Sequence, residues 1–287
     1  MVSHDKQKKY FSRIITNNAL GHAYLFTGPE MIGKKTFAFE LASEISQRSV
    51  TNDPDFKFIS PKIEDGESKI YIEDARKLKS FFALKPYQGP YRIAVINDAH
   101  CLTAEAANAL LKIIEEPPAL SVLILVTSIP GMLLPTIVSR CEEVKFLSAS
   151  KEAVADFLHD RIKNNDSQSQ RLTDNNKDFL ITLAGGRIGL AERLLAGNEL
   201  TSARKAIDDL RKLLTAGIYE KMDYAKRVHE KGDYRPRIDY WLNWVSAHLK
   251  NSSKNEKIVK NLLSLSAVVS QPQYNHRLAL ENFLLNL

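Results

Sequence analysis

Short apolar runs alternate with longer helical patterns from Ala23 to about Phe146, and the alternation stops there. His22-Ala23-Tyr24-Leu25-Phe26, Arg92-Ile93-Ala94-Val95-Ile96 and Ser121-Val122-Leu123-Ile124-Leu125-Val126 lack the polar/apolar alternation of a half-exposed strand. Each is short, rich in β-branched or aromatic residues and bounded by turn residues. Runs of that kind suit strands of a parallel sheet covered on both faces by helices better than segments of buried helix. A helix is predicted from about Lys34 to Ser46, and another, containing Arg76 and Leu78, follows Lys69–Asp74. Lys62–Glu67 reads as a surface loop.

Beyond Phe146 the β-branched runs cease. Ser148-Ala149-Ser150 carries an N-cap signal into a helix. A polar stretch from Lys163 to Gln170 leads to a second helix near Asp178–Leu183, and a turn through Gly185-Gly186 opens a third that runs through Leu195. From Thr201 to Leu287 the pattern stays helical, with breaks near Gly232–Pro236 and Asn251–Ser253. The predicted layout is an α/β domain over 1–147, a small helical domain over 148–200 and a C-terminal all-helical domain over 201–287.

Composition narrows the class without naming it. The 287 residues are 44% hydrophobic and 26% charged, which excludes wholesale disorder. No apolar run approaches the ~18–20 residues of a spanning helix, and Met1–Lys6 has no signal-peptide core, so a cytoplasmic protein is expected. Two cysteines, Cys101 and Cys141, cannot complete a four-ligand zinc site alone. A net charge of +6 permits nucleic-acid contact without requiring it.

The sharpest chemical signal follows the first strand. Gly28-Pro29-Glu30-Met31-Ile32-Gly33-Lys34-Lys35-Thr36 has the spacing of a P-loop and sits between strand and helix as that motif requires. Its glycines let backbone N–H groups face an anion, and Lys34 adds a mobile point charge. The plainer reading is a tight strand-to-helix turn with an exposed lysine. One position departs from the motif: the hydroxyl that should ligate Mg²⁺ is replaced by Lys35, and Thr36 lies one residue late, about 100° around the helix. The acidic strand end is altered as well. Val95-Ile96 leads into Asn97-Asp98, so a neutral amide takes the metal-holding position and a short carboxylate the water-activating one. Asp98 serves equally well as a helix N-cap or turn residue.

Three further motifs resemble a known family. Ala106-Ala107-Asn108-Ala109-Leu110-Leu111-Lys112-Ile113-Ile114-Glu115-Glu116-Pro117-Pro118 is similar to the signature helix of bacterial replicative clamp loaders, which belong to the AAA+ group. Leu134-Pro135-Thr136-Ile137-Val138-Ser139-Arg140-Cys141 resembles their Ser-Arg-Cys motif, and Asn275–Glu281 the end of their collar domain. Within the family the chain most resembles the delta-prime type. Gly189 occupies the place of the sensor arginine, with Arg187 two residues earlier and turned elsewhere on the helix.

This resemblance implies an AAA+ P-loop domain, a lid and a collar in a subunit without ATPase activity of its own. Ser139 and Arg140 would supply an arginine finger to the neighbouring ATP site, an effect worth ~10³–10⁵ in rate. The competing reading pairs Arg140 with Glu142 or Glu143. Gly28, Gly33, Lys34, Lys35, Thr36, Asn97 and Asp98 would form a degenerate nucleotide site, with weak ATP or ADP binding and no competent magnesium. No cofactor is required and no zinc is expected, since the family's four-cysteine module is missing from 47–55. The implied partners are motor subunits and a delta subunit in a hetero-pentamer, the sliding clamp indirectly, and primer–template DNA. Rival readings are an ATP-hydrolysing motor subunit of the same loader, or an AAA+-fold DNA-binding adaptor outside any ring.

The remaining features invite bland readings. Trp241 and Trp244 share a helical face suited to core packing. Arg235-Pro236-Arg237 and the lysines at 254, 257 and 260 are candidates for DNA contact, with a solvated helix face preferred. His22, His100, His229 and His248 show no metal-ligand spacing.

Overall fold

In the computed structural model, which describes residues 4–64, 67–163, 174–196, 199–248, 253–269, 271 and 274–287, the three predicted runs are strands. They are β1 (Ala23–Thr27), β5 (Arg92–Ile96) and β6 (Ser121–Thr127), and all their residues are buried. Two further strands join them, β2 (Phe56–Ile59) and β7 (Glu142–Lys145). The sheet has the order β2-β5-β6-β1-β7, and every pairing is parallel. Leu25 of β1 pairs with Leu125 of β6, which pairs in turn with Ile96 of β5.

Parallel strands need crossover helices, and these bury both faces of the sheet. One face carries Tyr24, Phe26, Val95 and Ile124, packed with Phe11 and Ile14 of α1 (Asp5–Thr16) and Phe37, Leu41 and Ile45 of α2 (Lys34–Ser46). The other carries Leu25, Ala94, Ile96 and Leu123, packed with Leu78 and Phe82 of α3 (Ile72–Phe82) and Leu110, Ile113 and Ile114 of α4 (Ala104–Glu115). Alternate residues of one apolar run thus serve two cores, which is why the runs lack alternation. The edge strand β7 is covered in part by α1, whose Gln7 Nε2 donates to the Lys145 carbonyl at 2.7 Å.

The segment read as a loop at 62–67 differs in the structure. Lys62–Glu64 (β3) and Glu67–Lys69 (β4) pair as an exposed antiparallel hairpin. Lacking a buried face, it leaves no hydrophobic pattern in the sequence.

The chain divides into two compact units, 1–149 and 150–287. After the four-residue α5 (Pro135–Val138) of the first unit, every regular element among the described residues of the second is a helix. Its helices are α6 (Lys151–Lys163), α7 (Asp174–Ala184), α8 (Ile188–Ala196), α9 (Glu199–Leu213), α10 (Ile218–Lys231), α11 (Tyr234–His248), α12 (Ser253–Val269) and α13 (His276–Leu285). Ser150 caps α6 by accepting from the Ala153 N–H at 3.1 Å. Gly232, in a left-handed conformation, ends α10. The predicted linker at 163–170 and the break at 251–253 fall largely outside the described residues.

Helix α11 ties this unit together. Trp241 is fully buried, stacks between Tyr224 and Phe283, and donates its indole N–H to the Ala206 carbonyl at 2.7 Å. Asn243 Nδ2 donates to the Leu183 carbonyl at 2.7 Å, linking α11 to α7. Trp241 and Trp244 are both buried core residues. Arg237 departs from the solvated face expected of its cluster. It is 13% exposed and bonds to Asp233 and Asp209, both at 2.9 Å, because the fold folds two carboxylates and the Tyr224 hydroxyl around it.

Candidate functional site

Parallel strands all end on the same side of the sheet, so the segments after β1, β5, β6 and β7 converge there. The turn after β1 is the P-loop. Gly28 has φ +140°, and a Cβ on it would lie 2.2 Å from the Phe146 carbonyl oxygen, so close passage of the chain after β7 demands glycine. Gly33 has φ +100° and precedes the first residue of α2. The loop is also moored from outside: His4 Nε2 lies 2.8 Å from the Ile32 carbonyl, and its ring meets Phe146 edge-on.

Lys34 is buried, and its ammonium donates to the carbonyls of Gly28 (2.6 Å) and Pro29 (2.5 Å). Burial lowers its pKa to about 8 against the pull of Glu30 and Asp98, which favour the charge. Lys35 does not reach into the loop; its Nζ lies 5.0 Å over the Phe58 ring. Thr36 is exposed.

After β5, the Asn97 amide donates to Asp98 Oδ2 at 2.7 Å. Asp98 has φ +50°, a conformation tolerated by Asp, and precedes a 3₁₀ turn at Ala99–Cys101 without capping it through its side chain. It is therefore a turn residue rather than a side-chain cap. Burial raises its pKa; His100, Lys34 and Lys35 pull the other way, while Glu30 adds to the rise. His100 Nδ1 lies 3.1 Å from the hydroxyl of Thr127, the fully buried last residue of β6, and burial holds the imidazole below its ordinary pKa. Glu30 accepts from Ser128 at 3.3 Å.

The structure thus gathers Gly28, Gly33, Lys34, Asn97 and Asp98 and adds Glu30, His100 and Thr127, which the sequence reading did not assign. A carboxylate inside the loop was the available signal for Glu30. Thr127 is marked only by its place at the end of a buried strand.

This donor set does not fit a magnesium ion. The metal-holding acid is replaced by an amide already bonded to its neighbour, and the hydroxyl position is taken by Lys35, whose ammonium is turned over Phe58 and offers no oxygen ligand. Among the described residues no group of three or more His, Cys, Asp or Glu is arranged to hold a metal. Cys101 and Cys141 are free thiols, each pushed up by burial to about 11.

Arg140 stands outside this cluster, just beyond α5. Its Nη2 pairs with Glu115 Oε1 at 3.0 Å and its Nη1 donates to the Thr136 carbonyl at 3.2 Å, which also accepts from the Ser139 hydroxyl at 3.2 Å. The partners weighed from sequence, Glu142 and Glu143, are engaged elsewhere. Tyr10 donates to Glu142, while Glu143 accepts from Thr27 at 2.8 Å and pairs with Lys145 at 3.6 Å. In the second unit, Arg187 is turned into the helices, its Nη1 3.5 Å from Asp239.

A five-stranded parallel sheet with a phosphate-type loop after its β1 strand and helices on both faces places the first unit among the AAA+-type P-loop folds. The profile of the family described as DNA polymerase III, delta subunit, matches residues 3–150, just over half of the chain. The chain belongs to the clamp-loader subunit family of DNA polymerase III. It is 29% identical over 210 residues to DNA polymerase III subunit delta' of Pseudomonas aeruginosa, covering 67% of this chain and 61% of that one. It is 32% identical over 167 residues to DNA polymerase III subunit gamma of Buchnera aphidicola, covering 53% of this chain and 46% of that one. The chain thus spans between about half and three fifths of the length of these curated relatives. A DNA polymerase III gamma subunit-related protein from Thermotoga maritima has the same fold over 97% of both chains, with a TM-score of 0.55 and 22% identity. Among the described residues no helix is long and apolar enough to cross a membrane.

Proposed function

We propose that this chain is a delta-prime-type clamp-loader subunit that does not turn over ATP itself and lends Arg140 to the nucleotide site of a neighbouring motor subunit. The observation that carries the first half is the replacement of both magnesium-holding positions. The residue that should bring a hydroxyl is Lys35, whose ammonium is turned over Phe58, and an amide bonded to Asp98 stands where an acid is needed. Phosphate entering the loop must also compete with two carbonyls for the Lys34 ammonium. Weak ATP or ADP binding without magnesium is the nucleotide chemistry this leaves.

Support for the second half comes from the placement of Arg140. Its guanidinium is 42% exposed, outside the chain's own loop cluster, and its planar fork suits phosphate oxygens. In trans it would stabilise charge developing on the transferred phosphoryl group. The chain would act as a positioning arm of a hetero-pentamer with motor subunits and a delta subunit, held through residues 201–287, and would reach the sliding clamp and primer–template DNA through that assembly in the cytoplasm.

Identity to a gamma subunit favours a second reading, a hydrolysing motor subunit. ATPase assays separate the two. The isolated chain is expected to show no magnesium-dependent turnover, and Arg140→Ala is expected to lower turnover of the reconstituted ring without preventing assembly. Hydrolysis by the lone chain would favour the motor reading, and unchanged turnover in the ring would remove the finger.

A further inference from the structure

Glu142 and Glu143 are the glutamates nearest Arg140 in sequence, yet the one that holds it is Glu115. Glu142 and Glu143 point to Tyr10 and to Thr27 and Lys145, whereas Glu115, the last residue of α4, takes Arg140 Nη2 at 3.0 Å. The Thr136 carbonyl takes Nη1 at 3.2 Å. From these two anchors on separate elements we infer that Glu115 is a positioning residue for the finger, fixing the plane in which Arg140 is presented to a phosphate.

The physical case is one of freedom removed beforehand. A free arginine side chain has many rotamers open to it, and that freedom must be given up when it grips a ligand. Anchoring Nη1 and Nη2 from one side gives up part of that cost before assembly, while a guanidinium with five N–H donors keeps others for phosphate oxygens. Glu115 and Arg140 are both nearly half exposed, so the pair sits at the surface rather than locked in a core. Its coupling therefore falls in the range of exposed ion pairs, an effect of a few-fold in rate. The role rests on the reading of Arg140 as a finger given above.

The test uses the reconstituted ring, with ATP turnover measured against ATP concentration for wild type, Glu115→Ala, Glu115→Gln, Arg140→Ala and the double Ala variant. Glu115→Ala is expected to lower kcat about two- to fivefold with KM unchanged. Glu115→Gln, whose amide oxygen still accepts from Nη2, is expected to recover most of the loss. The double variant is expected to be no slower than Arg140→Ala alone, because Glu115 acts only through Arg140. A Glu115→Ala ring as fast as wild type or faster, in a ring that Arg140→Ala slows, overturns the positioning role and leaves the finger standing. Additive losses in the double variant overturn it as well. If Arg140→Ala changes nothing, the finger reading falls and this role falls with it.

Discussion

Replacing Asp55 with alanine should unfasten one side of the sheet. The carboxylate is fully buried and accepts N–H bonds from Tyr87 at 2.7 Å, Gln88 at 2.8 Å and Gly89 at 2.9 Å. It also pairs with Arg48 at 3.2 Å and lies 3.7 Å from Arg92, while its backbone carbonyl starts the β2–β5 ladder by accepting from Ile93. A buried donor stripped of its acceptor costs about 1–3 kcal/mol, and breaking a buried ion pair costs about 3–5 kcal/mol. Three amides lose their acceptor, but the loop they belong to is partly exposed and recovers some water bonds. The expected loss for Asp55→Ala is therefore about 3–5 kcal/mol, a large share of the ~5–15 kcal/mol that holds a typical domain. Asp55→Asn keeps one acceptor oxygen and should lose about half as much.

Urea unfolding at pH 7 followed by far-UV circular dichroism measures both losses, and hydrogen exchange should show faster opening at the Tyr87, Gln88 and Gly89 amides. The pH dependence has a definite sign. Burial pushes the Asp55 pKa up, but the bonds from Gln88, Tyr87 and Gly89 and the charge of Arg92 outweigh it and hold the carboxyl below its ordinary value. Its stabilisation is thus present above the unfolded pKa near ~3.9 and is lost as pH falls through the lower folded value. The gap between wild type and Asp55→Asn should narrow on acidification below pH ~4. A loss under ~1 kcal/mol for Asp55→Ala at pH 7 would refute the account of this carboxylate as the anchor of the loop.

Two further outcomes follow from the phosphate loop. Gly28→Ala places a methyl 2.2 Å from the Phe146 carbonyl at φ +140°, so the melting temperature should drop by an amount equivalent to at least ~1–3 kcal/mol; an unchanged melt would show that the two segments part freely. Lys34 has a folded pKa of about 8 against an ordinary value of 10.5, so between those values the unfolded chain binds the extra proton and stability should rise with pH. Lys34→Met should flatten that rise in urea titrations across pH 8 to 10.5, and a slope that persists would place its source elsewhere.

The parts of the fold visible in the sequence are those in which one residue run meets two cores. β1, β5 and β6 are flanked by cores on both faces, so apolar composition alone marks them. Strands at the rim carry no such mark: Glu142-Glu143-Val144-Lys145 buries only Val144, and Lys62–Glu64 and Glu67–Lys69 bury no residue. The phosphate loop was legible because its glycines and lysine recur at fixed spacing, and the structure gives both glycines the left-handed φ that the loop requires. What spacing cannot convey is partner choice. Arg140 could reach acids on either side in the sequence, and Glu115 wins because Tyr10 and Thr27, far away along the chain, have already engaged its rivals. Arg237 was read as solvated for the same reason: Asp209 reaches it from another helix, 28 positions away.

The imidazole of His4 grips the Ile32 carbonyl from 28 positions upstream. The curvature of the turn after the first strand is accordingly shared property, set partly by the segment ahead of α1. A fusion partner or affinity tag joined there would pull on that tether, and nucleotide measurements on such a protein would report the tag as well as the loop.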